Sequence, residues 1–107
     1  MEQTRAGAPT ESTLRAALCQ VIDPEAGMNI VDLGLVYAVR METNRVEVDL
    51  TMTTPACPMG AMIVDEAGAV LRREVPAGME VVVNLVWEPP WVPSMMSEHA
   101  RKHFGWK

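Results

Sequence analysis

Cys57, in the run Thr53-Thr54-Pro55-Ala56-Cys57-Pro58, is the residue of this chain best placed to do chemistry. It stands where an alternating strand pattern gives way to an amphipathic helical one. The first amides of a helix have no partner within the helix, and the dipole adds partial positive charge at that end. A thiol held there shifts toward thiolate, the form that attacks electrophiles and binds soft metals. Pro58 suits the first helical position, whose N–H would be unpaired anyway. Cys57 is then the expected N-cap, with the amides of Met59 and Gly60 facing its sulfur. Ser, Thr, Asp and Asn cap helices better than cysteine does, so the residue type points to function rather than to capping.

Thr53 and Thr54 precede the thiol. They serve either as β-formers at a strand end or as hydroxyl donors lining a pocket near the sulfur. Asp23, Glu25 and Asp32 surround an earlier loop. Loop carboxylates are ordinarily solvated or capping, and Asp23 suits anchoring its loop through side chain-to-backbone bonds. A loop folded toward Cys57 would instead bring an oxygen ligand or a base. His99 and His103 share one face of a terminal helix, but no further ligands accompany them to complete a metal site. Trp87 and Trp91 flank Glu88-Pro89-Pro90. Their indoles either cover the core edge or, if Trp91 is exposed, mark a partner surface.

The elements that must position these residues are legible from hydrophobic spacing. Residues 1–11 read as a loose tail and 12–107 as one domain. From Ser12, the residues Leu14, Ala17, Leu18, Val21 and Ile22 fall on one helical face, and Asp23-Pro24 ends that helix. Leu35 to Met41 reads as a strand, Thr43-Asn44 as a tight turn, and the run from Arg45 as a second strand. There Val46, Val48, Leu50 and Met52 face one side and Glu47, Asp49, Thr51 and Thr53 the other. Met59, Met62, Ile63, Ala67, Val70 and Leu71 repeat with helical spacing. Met79 to Trp87 is a strand apolar at nearly every position, as expected for one covered on both faces or lying centrally. Ser94 or Ser97 caps a last helix through about Phe104, with Gly105 as its stop. The order α-β-β-α-β-α predicts a small α/β (α+β) domain, a mixed three-stranded sheet with helices packed on it. Cys57 then lies just past the C-terminal end of the second strand, where open α/β sheets place ligand sites.

Composition narrows the function classes. The chain has 107 residues, 49% of them hydrophobic, enough for one core. A net charge of −5 without a basic stripe argues against nucleic acid as a partner. No apolar run approaches the roughly 18 residues of a membrane span, and Met1 to Pro9 lacks the apolar stretch of a signal peptide, so the expected location is cytoplasmic. The two cysteines are expected to be free thiols, with Cys19 a small, partly buried member of the first helix.

Taken in series, Asp23-Pro24-Glu25, Asn29-Ile30-Val31-Asp32-Leu33-Gly34-Leu35-Val36-Tyr37, Thr53-Thr54-Pro55-Ala56-Cys57-Pro58, Glu88-Pro89-Pro90-Trp91 and Met96-Ser97-Glu98 resemble the SufT/PaaD-like family of iron–sulfur cluster assembly proteins. The resemblance spans about residues 12 to 105. It implies an iron–sulfur assembly type of α/β fold and a role in maturing iron–sulfur proteins, with one branch serving the phenylacetate-degradation oxygenase. It places the family's reactive cysteine on Cys57, its acidic loop positions on Asp23 and Glu25, and its pocket threonines on Thr53 and Thr54. Ala26 departs from the larger aliphatic residue common there.

A conventional cluster takes four thiolates, and this chain offers one well-placed thiol. The expected role is therefore a non-enzymatic carrier or adaptor, with Cys57 a transient iron–sulfur ligand. Its expected partners are the assembly machinery, client proteins and, in a homodimer, a second Cys57. Two alternatives stand beside it: a thiol enzyme with Cys57 as nucleophile and Asp23 or Glu25 as base, and a structural interaction module in which Cys57 is inert.

Overall fold

Thr10 and Thr13 start the fold by capping each other. The Thr10 hydroxyl accepts from the Thr13 amide at 3.1 Å, and the Thr13 hydroxyl accepts from the Thr10 amide at 2.9 Å. This reciprocal pair launches helix α1 (Glu11–Leu18), so the ordered domain reaches back to Thr10, into the stretch read from sequence as tail. The computed structural model describes residues 10–53 and 60–105. The expected N-cap at Cys57, with Thr54 and Pro58 beside it, lies outside those residues.

Helix α1 is shorter than its apolar spacing predicts. It ends at Leu18, with Cys19 as C-cap. Val21 stays in the core, but Ile22 is exposed and belongs to β1 (Ile22–Asp23), which pairs antiparallel with β2 (Met28–Asn29). The Ile30 amide donates to the Val21 carbonyl at 3.0 Å, so the chain leaves the helix to make a small hairpin. Cys19 is exposed rather than partly buried.

The main sheet follows the predicted plan. Strand β3 (Val36–Glu42) turns through Thr43-Asn44 into β4 (Arg45–Leu50), antiparallel to it. Helix α2, described over Gly60–Glu74, crosses over to β5 (Glu80–Leu85), which pairs parallel with β4. The strand order is β3-β4-β5. A 3-10 turn (Pro93–Met95) and helix α3 (Glu98–His103), capped by Ser97, complete the described chain. The Glu88–Pro89 peptide is cis.

Helices α1 and α2 pack against each other, α1 lying toward β3 and α2 toward β5. Between helices and sheet lie Leu14, Leu18, Val46, Val48, Leu50, Ile63, Ala67 and Leu71, all fully buried. Each large aliphatic side chain among them contributes on the order of 1.5–3 kcal/mol by leaving water. The alternation in β4 is as read, with two corrections nearby. Thr51, expected to face outward, is 1% exposed, because the segment after β5 folds back over that end of the sheet. The Tyr37 hydroxyl holds this segment by donating to the Pro89 carbonyl at 2.8 Å. Strand β5 lies at the edge of the sheet rather than at its centre, and its residues are half-buried or exposed. An unbroken apolar run cannot tell an edge strand from a central one; the crossover decides it.

Candidate functional site

Strand β4 delivers the candidate site. Its buried side chains continue through Thr51 and Met52, and Thr53 emerges into solvent. The chain is next described at Gly60, the first described residue of α2, whose absent side chain leaves room for Met52 and Leu85. A Cβ there would lie 3.6 Å from Met52 Cγ and 3.9 Å from a Leu85 methyl. Thr53 and Gly60, the described residues that flank Thr54 and Cys57 in the sequence, therefore both lie at the C-terminal end of the parallel pair β4 and β5.

Beside Thr53 is a slot of about 260 Å³ lined by Thr51, Met52, Thr53, Trp87, Pro90 and Trp91. Its two indoles differ. Trp91 is half-buried against the core, and its Nε1 donates to the Leu33 carbonyl at 2.8 Å. Trp87 is the exposed one, at 40%. Of the two readings the sequence left open, Trp91 takes the packing role, and the exposed aromatic surface belongs to Trp87. Leu85 and Met62 are exposed as well, which gives this end of the molecule an apolar rim. Sequence reasoning did not single out Met52, Leu85 or Trp87 as a set. The available signal was the spacing of Leu85 and Trp87, two residues apart in a β-run that stops at two prolines.

The acidic loop is put to structural use. Asp23 is 3% exposed and its Oδ1 accepts from the Glu25 amide at 2.9 Å, while its carbonyl accepts from the Gly27 amide at 2.7 Å. This is an anchored turn of the kind expected of Asp23. Glu25 is exposed, and neither Asp23 nor Glu25 lines the slot.

Asp32 does more than the sequence suggested. Asn29 Nδ2 donates to its Oδ2 at 2.7 Å and Ser97 Oγ donates to its Oδ1 at 2.7 Å. The Ser97 amide also donates to the Asp32 carbonyl at 2.8 Å, and Ser97 Oγ accepts from the Ala100 amide to cap α3. These hydrogen bonds from Asn29 and Ser97, with a smaller contribution from His99, hold the Asp32 carboxyl below its ordinary value. Gly34, at φ +79, packs under the Met95 backbone so closely that a Cβ would strike its carbonyl oxygen. Burial, with some help from Glu88, pushes the Tyr37 phenol up. Residues 29–37 and 88–97, the two stretches richest in motif residues, are thus clamped together beneath the site.

That clamp borders a second, open cleft of about 680 Å³, whose lining includes Val36, Tyr37, Asp49, Glu88 and Met95. Through Asp49 it adjoins the polar face of the sheet. Arg40 makes paired bonds of 2.9 Å to both Asp49 oxygens, and Asn84 Nδ2 donates to Glu47 at 2.7 Å and to Asp49 at 3.0 Å. Arg40 and Asn84 lower the Asp49 carboxyl; Asn84, then Arg40 and Arg45, lower Glu47.

No group of three or more His, Cys, Asp or Glu positioned to hold a metal occurs among the described residues. Cys19 is the other thiol. Partial desolvation of this otherwise exposed side chain, then the nearby Asp32 charge, shift its pKa upward. No helix among the described residues is long and apolar enough to cross a membrane.

Comparison with known proteins gives a consistent picture. A family model described as iron-sulfur cluster assembly protein matches residues 11–85. An Fe-S protein maturation auxiliary factor, SufT, from Staphylococcus aureus (strain USA300) is 48% identical over 86 residues, which cover 79% of this chain and 97% of the relative. The maturation auxiliary factor YitW of Bacillus subtilis (strain 168) is 40% identical over 96 residues, 89% of this chain and 93% of the relative. Among solved structures, a domain of unknown function (DUF59) from Bacillus anthracis superposes with a TM-score of 0.84 at 44% identity, over 91% of this chain and 92% of that one. A conserved hypothetical protein of Thermotoga maritima gives 0.79 at 37% identity, over 94% and 99%.

Proposed function

The chain belongs to the iron–sulfur cluster assembly protein family, and on that premise we propose that it is a non-enzymatic maturation factor for iron–sulfur proteins, working as a carrier or adaptor through Cys57. The cluster is its cargo. A conventional cluster takes four thiolates; Cys57, with its strand-to-helix setting, is the thiol that the sequence singles out for the task. A hold through one thiolate is weak and releasable. Transfer then needs no redox step. A client thiolate replaces the Cys57 sulfur on iron, and the displaced thiolate stays with this chain.

The observation that carries this reading is the position of Thr53 and Gly60, the described residues on either side of Cys57. Both lie at the C-terminal end of β4 and β5, Thr53 in the lining of the tryptophan slot and Gly60 against Met52 and Leu85, with an apolar rim of Met62, Leu85 and Trp87 at the same end. A client docked on that rim brings its own cysteines to Cys57, which supplies the adaptor half of the role. The assembly machinery loads the same site. The relatives carry a general maturation name, so a general set of clients stands ahead of the phenylacetate-degradation oxygenase.

Anaerobic reconstitution with iron and sulfide tests the reading, with wild type and Cys57→Ser compared by visible absorption and by transfer to an apo-ferredoxin. The expected result is substoichiometric uptake and rapid transfer by wild type, with both lost in the variant. Equal uptake and transfer by the two proteins would remove Cys57 from the function.

A further inference from the structure

The sheet has two edges, β3 and β5, on which no further strand pairs among the described residues, and they are treated differently. The β3 edge carries a register irregularity between Val36 and Ala38 and the charged residues Arg40 and Glu42. Bulges and charges are the ordinary means of keeping an edge from pairing. The β5 edge, Glu80-Val81-Val82-Val83-Asn84-Leu85, has no bulge, no proline and one charge, at its end.

Its open groups can be identified residue by residue. Glu80 and Val86 donate their amides to the Asn44 and Leu50 carbonyls, at 2.8 and 2.7 Å. Even-numbered residues therefore turn their backbone groups toward β4. Val81, Val83 and Leu85 turn theirs outward, where no backbone partner meets them among the described residues. Their side chains lie on the helix-covered face, with Val81 and Val83 half-buried against the core and Leu85 exposed.

We infer that this edge pairs with the same edge of a second copy, antiparallel about a two-fold axis at Val83, and joins two three-stranded sheets into one of six. In an antiparallel pair, outward-facing residues exchange both bonds with the residue opposite. Centred on Val83, that register sets Val83 against Val83 and Val81 against Leu85, and every open N–H and C=O of the strand finds a partner. The contact is isologous, as a two-fold requires. It covers the exposed Leu85 with Val81 of the second copy, which leaves Met62 and Trp87 as the rim residues open to a client. Charge and hydrogen bonding together select the register. Glu80 falls opposite Val86, so no like charges meet. Shifting the axis to Asn84 would set Glu80 against Glu88, and shifting it to Val82 would leave Leu85 opposite Met79, beyond the strand.

This dimer has two separate sites. The strands run in opposite directions, so the two Thr53 residues point away from each other, on the order of 30 Å apart at about 3.3 Å per strand residue. One cluster cannot bridge them. The inference stands independently of the proposed role of Cys57.

Sedimentation equilibrium of the full chain from about micromolar to about millimolar concentration is the first test, with a dimer expected. Val83→Pro removes one outward N–H and takes nothing from the β4 ladder, so it should leave a folded monomer. Val83→Cys, in a Cys19→Ser, Cys57→Ser background, should cross-link under mild oxidation, because a pair on the axis has its Cα atoms about 5.5 Å apart, within disulfide range. Val82→Cys should not. A monomer throughout that range, or a dimer that Val83→Pro leaves intact, or cross-linking that is no faster at 83 than at 82, overturns the inference. A monomer that gains an extended peptide on β5 would do so too.

Discussion

The two ends of the sheet are built on opposite terms. Beneath the start of β3, residues 29–37 and 88–97 are tied by Asp32 to Ser97, Trp91 to Leu33, Tyr37 to Pro89, and the seat of Gly34 under Met95. At the C-terminal end of β4, Thr53, Met62, Leu85 and Trp87 stand in solvent. Most of the residues that make the sequence distinctive thus serve the tied end, while the end suited to exchanging a ligand is left open. The proposed carrier role would gain from this division, since a thiol that exchanges its cargo needs access and room for a partner while the sheet needs a fixed base.

Substitutions at the two ends should therefore separate stability from function. Gly34→Ala breaks the comparison most severely. It combines a left-handed φ with a collision against backbone, and should lower stability by about 3 kcal/mol or more. That appears as a fall in the urea midpoint at constant slope. Asp32→Ala removes charge-assisted bonds from Asn29 and Ser97 and should cost about 2–3 kcal/mol. Because the folded carboxyl is held below its ordinary value, the Asp32 contribution is complete above the ordinary carboxylate range. It is lost as the pH falls through the lowered value. Urea midpoints at neutral and acid pH should accordingly converge for wild type and Asp32→Ala; a constant gap would show that the carboxylate charge plays no part.

Trp91→Phe strands the Leu33 carbonyl and should cost about 1 kcal/mol, with cluster transfer unchanged. Trp87→Ala sharpens the contrast from the other side. Its effect on stability should be the smallest, below about 1 kcal/mol for an indole already 40% exposed. Yet transfer to an apo-ferredoxin should slow clearly. Unchanged transfer in Trp87→Ala would take the apolar rim out of the function.

Much of this fold was open to reading before coordinates. The helical spacing of Ile63, Ala67, Val70 and Leu71 and the period-two burial of Val46, Val48 and Leu50 are local signals, and both elements appear where those signals place them. The two-residue strands β1 and β2 were not legible, because neither is long enough to show a period. Strand β5 showed its length but not its edge position. The brace escaped for a different reason. Asp32, Leu33 and Gly34 meet residues roughly sixty positions away, and nothing near them in the chain announces those partners. Cys57 stood out by residue type and neighbours alone, whereas the surface suited to a client, Trp87 with Leu85 and Met62, emerges only once the crossover has brought α2 and β5 together.

The late arrival of Ser97 and Trp91 has a consequence for how the protein is made. Synthesis runs from the N-terminus, so Asp32, Leu33 and Gly34 leave the ribosome long before the groups that secure them. Every described strand and both longer helices precede Trp91 and Ser97 in the chain, so the Leu33 carbonyl and Asp32 Oδ1 receive their partners last. Only when Ser97 and the helix it caps have followed are all the ties of the base in place.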